Sequence, residues 1–109
     1  MTKAVISPLA RVDMQEIGDY IGRELRNPGA ALRMIQRFRK TIEPLSKFPE
    51  MGAPLLAQGK QNAPYCFLVC GNYMIFYHVE NESVMIDRVL YGRRDYMALL
   101  FGNQVEDEE

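Results

Sequence analysis

The stretch Arg88-Val89-Leu90-Tyr91-Gly92-Arg93-Arg94-Asp95 gathers the densest set of chemically capable side chains in this chain of 109 residues. Guanidinium groups beside a phenol can grip carboxylates or phosphates through charge-assisted hydrogen bonds. Strand alternation would place Arg88 with Leu90 and let it project toward Tyr91, Arg93 and Arg94, making a cationic, aromatic-edged patch for a partner. The alternative is that Asp95 caps a following helix while the arginines make surface ion pairs worth less than about 1 kcal/mol each. A second basic group, containing Arg33, Arg37 and Lys40, lies in a segment where seven Lys and Arg residues face only Glu24 and Glu43. It reads either as a solvated helix face or as a surface for an acidic partner.

Acid–base and metal chemistry find less support. His78 is the sole histidine, with no second base in view, and reads as a surface or edge residue. Cys66 and Cys70 are the only cysteines; on one extended strand their Cα atoms would be about 13 Å apart, beyond disulfide reach. A lone Cys-x-x-x-Cys is also a poor zinc site. Neither a metal nor a cofactor is expected. Tyr65, Tyr73 and Tyr77 stand in apolar runs and read as core in preference to stacking residues.

The elements that must position these groups are legible from periodicity. Ala4-Val5-Ile6 is short and β-prone and ends at Ser7-Pro8, a helix-start pair. Ala10, Met14, Ile17, Ile21 and Leu25 then recur at helical spacing. Asn27-Pro28-Gly29 breaks that helix and opens a second, with its stripe at Ala31, Ile35, Phe38, Ile42 and Leu45. Pro44 cannot donate to the Lys40 carbonyl, so a kink or end is expected near Glu43. Residues 50–64 are punctuated by Gly52, Pro54, Gly59 and Pro64 and read as loop. Three β-rich runs follow, 65–70, 73–79 and 84–91, joined by Gly71-Asn72 and by Glu80-Asn81-Glu82-Ser83, the pattern of an antiparallel meander. Asp95 then opens a short helix to Leu100 or Phe101.

These elements define an α+β fold: an N-terminal strand, an antiparallel helical hairpin packed on a small antiparallel sheet in the order β-α-α-β-β-β, and a short C-terminal helix. Ile17, Ile21, Ile35, Phe38 and Ile42 should be buried between hairpin and sheet, and the other sheet face should stay partly open. One domain is expected over residues 1–102, with 103–109 an acidic, disordered tail. No run approaches the roughly 20 apolar residues that cross a bilayer. The N-terminus lacks the apolar stretch of a signal peptide, so the expected location is the cytoplasm.

The ordered motifs carry a family resemblance from Val5 to about Phe101. Ser7-Pro8-x-Ala10-x-x-Asp13-x-x-Glu16-Ile17-x-x-Tyr20-Ile21, Asn27-Pro28-x-Ala30-Ala31, Leu45-x-x-x-Pro49-x-x-Gly52, Tyr73-x-Ile75-x-Tyr77 and the Arg88–Asp95 ending together resemble the RelE/ParE superfamily of type II toxins, in its ParE-like branch of plasmid stabilisation proteins. Tyr91 departs from the histidine usual at that place. The resemblance implies a toxin with two possible activities. RelE-like members cleave messenger RNA on the ribosome, which needs converging acid–base groups and a phosphate-stabilising cation. Here Met74 stands where those nucleases usually carry an arginine, and Gly92 about where some carry a histidine.

The pattern therefore favours the ParE-like activity, binding and inhibition of DNA gyrase without chemistry of its own. The alternatives are a ribosome-dependent endoribonuclease and a non-toxic interaction module of the same fold. The implied partners are gyrase and a cognate antitoxin, ParD-like or of another class, in a possible hetero-oligomer. The antitoxin's acidic residues should meet Arg33, Arg37 and Lys40 or the Arg93–Arg94 patch.

Overall fold

The computed structural model describes residues 3–55, 65–92 and 100. Strand β1 (Lys3–Ile6) hands over to helix α1 (Pro8–Asp19) at Ser7. The Ser7 hydroxyl accepts from the Ala10 N–H at 3.0 Å and donates to the Asp87 carbonyl at 3.0 Å. One side chain thus caps the helix and ties its start to the far end of the chain. Past Asp19 the helix widens into a π turn, Tyr20–Glu24, closed by the Leu25 N–H on the Tyr20 carbonyl at 3.2 Å. Asn27 accepts from the Ala30 N–H at 3.0 Å to open α2 (Pro28–Ile42). Pro44 ends α2 where expected, and the chain tightens into a single 3-10 turn, Glu43–Ser46.

Four further strands follow: β2 (Ala53–Pro54), β3 (Cys66–Cys70), β4 (Tyr73–Glu80) and β5 (Ser83–Tyr91). The sheet order is β1-β5-β4-β3-β2. β3, β4 and β5 form the expected antiparallel meander, but β1 runs parallel to β5, so the sheet is mixed. The β4–β5 connection is tighter than its four-residue reading. Glu80 pairs with Ser83, and Asn81 and Glu82 turn alone with φ of 52° and 64°. Two positive-φ residues suit the right-handed twist of a two-residue hairpin.

β2 lies in the segment read as loop. Its two residues pair with Cys66 and Phe67, too short a stretch to show periodicity. The approach is fixed by Tyr77, whose fully buried hydroxyl donates to the Pro49 carbonyl at 2.8 Å and accepts from the Gly52 N–H at 2.9 Å. A Cβ on Gly52 would sit 2.5 Å from that hydroxyl, which is why glycine stands there.

The helical hairpin covers one sheet face. Phe38, Leu45, Ile75, Tyr77, Val84 and Ile86 are fully buried there, and Ile42 nearly so. Ile17, Ile21 and Ile35 are only half-buried, which corrects their expected full burial. Ile17 borders an open cleft, Ile35 lines a groove between the helices with Ile6 and Met14, and Ile21 falls in the π turn. The opposite face carries a second small core, Leu55, Phe76 and Leu90, with Tyr65, Phe67, Met74 and Leu100 packed against it. It is therefore less open than expected, although Val69 stays 65% exposed. Apart from Leu100, the expected final helix and the acidic tail lie outside the described residues.

Two independent cores predict two separate sensitivities. In urea denaturation Phe38→Ala should lose about 3–5 kcal/mol and Leu90→Ala about 2–5 kcal/mol. Val69→Ala, on the open part of the face, should stay within about 0.5 kcal/mol.

Candidate functional site

The β4–β5 ladder is interrupted once. Phe76 pairs with Arg88 and Tyr77 with Ile86, so Asp87 opposes no residue of β4. Such a bulge resets the side-chain alternation of its strand. Val84 and Ile86 face the hairpin before it and Val89 after it, whereas Leu90 belongs to the second core.

Past the bulge Arg88 pairs with Phe76 and Leu90 with Met74, yet the Arg88 side chain is not directed toward Tyr91. It turns to α1, where its Nε and Nη2 donate to the two Asp13 carboxylate oxygens at 2.8 and 2.9 Å. The Val89 N–H donates to the same carboxylate at 2.9 Å. β1 has already ended at Ile6, so Asp13 supplies the acceptor that a longer β1 would have given. Asp13 is 6% exposed, and its hydrogen bond raises the Arg88 guanidinium pKa against a smaller downward pull from burial. Neither projection into a patch with Tyr91 nor a surface ion pair describes Arg88. It is an internal tie between α1 and β5.

Beside this tie opens a cleft of about 440 Å³. Ile17 and Val89 give it apolar lining, Asp13 and Glu16 give carboxylates, and Tyr20, Tyr73 and Tyr91 give three phenol rings. The Tyr73 and Tyr91 rings meet edge-on at 5.8 Å, and Tyr73 rests edge-on against Phe38 at 5.5 Å. Burial raises the Tyr73 hydroxyl pKa, and the neighbouring Tyr91 and Tyr20 raise it further. Tyr20 and Tyr91 therefore both sit close enough to act on Tyr73. α1 presents Asp13, Glu16, Ile17 and Tyr20 on one face, and the π turn starts at Tyr20. Only Tyr91 of this group stood among the expected site residues. The signal for Asp13, Glu16 and Tyr20 was their three- and four-residue spacing along the first helix.

On the other side of the bulge His78 is not the unaccompanied surface residue expected. Its Nδ1 lies 2.7 Å from Asp87 Oδ2, its Nε2 lies 3.1 Å from Glu80 Oε1, and its ring meets Tyr65 edge-on. Burial pulls the imidazole pKa down, but hydrogen bonds and charge from Asp87 and Glu80 outweigh it, and the net direction is upward. Burial also raises the Asp87 carboxyl pKa, only partly offset by His78. Alternation alone would place Asp87, two residues beyond the His78 partner Met85, on the His78 face, but the sequence does not announce the strand register that makes Met85 that partner.

The remaining expected residues stand apart. Arg33, Arg37 and Lys40 are exposed on α2, with the Arg37 guanidinium close to the β3–β4 turn at Gly71. Arg93, Arg94 and Asp95 lie outside the described residues. Among the described residues no group of three or more His, Cys, Asp or Glu could hold a metal ion. No helix among them is long and apolar enough to cross a membrane.

A profile of the ParE toxin of the type II toxin–antitoxin system parDE matches residues 4–96. The chain belongs to the ParE toxin family. Among solved structures, a chain of the chromosomal ParDE system of P. aeruginosa is similar in fold, with a TM-score of 0.70. The two share 19% sequence identity over 84% of this chain and 96% of that one. No curated protein sequence matches significantly. In this ParE-family chain the profile spans both Asp13 and Arg88, together with the whole lining of the tyrosine cleft.

The two sides of the bulge give separate predictions. Asp13→Ala should cost about 3–5 kcal/mol in urea denaturation, because the Arg88 guanidinium and the Val89 N–H both lose a buried acceptor. His78 and Asp87 each bind a proton more tightly folded than unfolded, so each subtracts stability as pH rises. The His78 contribution is fully present below its unfolded value near 6.5 and is lost as pH climbs through the raised folded value. The stability difference between the parent and His78→Gln should shrink across that window, and a pH-independent difference would contradict the assignment.

Proposed function

We propose that this ParE-family chain inhibits DNA gyrase by direct binding and is neutralised by a cognate antitoxin. Membership of the toxin family carries the reading. The disposition of charge supports gyrase binding over RNA cleavage. Cleavage needs a cation near the base to stabilise the phosphorane. His78 is held between the carboxylates of Asp87 and Glu80, which would repel a phosphate, with the Tyr65 ring edge-on, while Arg88 is engaged by Asp13. Met74, packed beside the second core, has no charge to offer.

One observation favours the endoribonuclease alternative: Asp87 fixes the orientation of the His78 ring as a second residue orients a general base. Gyrase supercoiling and cleavage of messenger RNA on translating ribosomes separate the two. Purified toxin should inhibit supercoiling and leave messenger RNA intact. Replacing Arg93 and Arg94 together with alanine should weaken the inhibition more than His78→Ala does, since binding energy spreads over an interface. RNA cleavage that vanishes in His78→Ala, with supercoiling untouched, would reverse the assignment.

The antitoxin is taken to be a short chain whose docking segment folds on binding and sets acidic residues against Arg33, Arg37 and Lys40. Its affinity should fall as salt rises from about 0.05 to 0.5 M. An affinity constant across that range would remove the electrostatic contribution.

A further inference from the structure

We propose that the cleft between α1 and the ends of β4 and β5 receives an arginine side chain presented by the docking segment of the antitoxin. The choice of partner rests on the toxin reading above; the choice of side chain rests on the cleft itself.

Among the described residues, each polar side chain lining the cleft is a carboxylate or a phenol. Asp13 and Glu16 bring two carboxylates, and among the described residues the guanidinium beside them, that of Arg88, is already forked onto Asp13. Glu16 is exposed and acts on Arg88 through charge, so among the described residues Asp13, Glu16 and Arg88 leave one negative charge in excess. Tyr20, Tyr73 and Tyr91 add three ring faces, the electron-rich surface over which a cation settles. A guanidinium suits this set better than an ammonium, because it stacks flat on a ring while its edge forks to a carboxylate.

The cleft is also open and accessible in the way a protein contact needs. Tyr20 is 55% and Tyr91 39% exposed, large rings that would lose water on docking. Its volume of about 440 Å³ leaves room for a long side chain and an apolar neighbour against Ile17 and Val89. The π turn that begins at Tyr20 belongs to a class of helix irregularity frequent at functional sites. The antitoxin would then carry both signs: acid toward Arg33, Arg37 and Lys40, and an arginine toward Glu16.

The test titrates N-acetyl-arginine N-methylamide into the purified protein and follows the tyrosine ring resonances by NMR. Saturable shifts of Tyr20, Tyr73 and Tyr91 are expected in the millimolar range, about five-fold weaker in Glu16→Gln and with the uncharged N-acetyl-norleucine analogue. Equal binding of the norleucine analogue, an unchanged affinity in Glu16→Gln, or shifts confined to other residues overturns the cation site. Because Glu16 is exposed, its replacement leaves the fold intact, which unchanged methyl spectra would verify. In a second arm, the antitoxin encoded beside the toxin should bind Glu16→Gln and Tyr91→Ala about five-fold or more weakly than the parent. Undiminished antitoxin binding by variants that have lost the probe overturns the partner. Failure of the parent to bind any antitoxin sinks the toxin reading itself while leaving the cation site standing.

Discussion

The carboxylate of Asp13 is the constraint on which the rest of the domain depends. It accepts from the Arg88 side chain and from the Val89 backbone at the point where β1 has run out and β5 continues. Without it, a buried N–H and a guanidinium would both lack an acceptor just where α1 must lie down on the sheet. Buried ion pairs seldom add net stability over well-packed apolar residues, but losing one partner costs heavily. The pair therefore acts on alignment: it fixes the rotation of α1 and, with it, the position of Glu16 and Tyr20 over the ends of β4 and β5.

The bulge at Asp87 is the other half of that device. Because one residue of β5 is left unopposed, the two-residue alternation slips by one, and Ile86 and Val89 both face the hairpin. Asp87 holds His78 on one side while Arg88 reaches Asp13 on the other. Two polar clusters thus meet at one irregularity, and the Ser7 hydroxyl donates to the Asp87 carbonyl at the same place.

What the sequence displayed and what it hid follow from this. Helical stripes, the Ser7 and Asn27 caps, the break at Pro44 and the three-strand meander all rest on local periodicity and backbone chemistry, and each is present in the fold. The reading of Arg88 rested on strand alternation, which does not reveal that its long side chain reaches Asp13 on a helix 75 residues away. The two residues of β2 were hidden because pairing so short leaves no pattern and depends on the distant Tyr77 hydroxyl. The tyrosine cleft was half visible. Asp13, Glu16 and Tyr20 stood at helical spacing, but only the fold brings Tyr73 and Tyr91 to meet them.

The parallel pairing of β1 with β5 also bears on synthesis. Ser7 waits for Asp87, 80 residues later, and Asp13 waits for Arg88, 75 residues later. At translation rates of roughly 5–20 residues per second, that interval is about 4–16 s per chain. Throughout it the hairpin can form, yet it has no sheet to cover its apolar stripe and no β5 to receive Asp13. The tyrosine cleft is assembled only when β5 emerges. The nascent polypeptide thus passes through a period in which its hydrophobic helices are exposed and its docking surface does not yet exist. A protein able to hold the bare hairpin would meet the chain before anything recognising the finished fold.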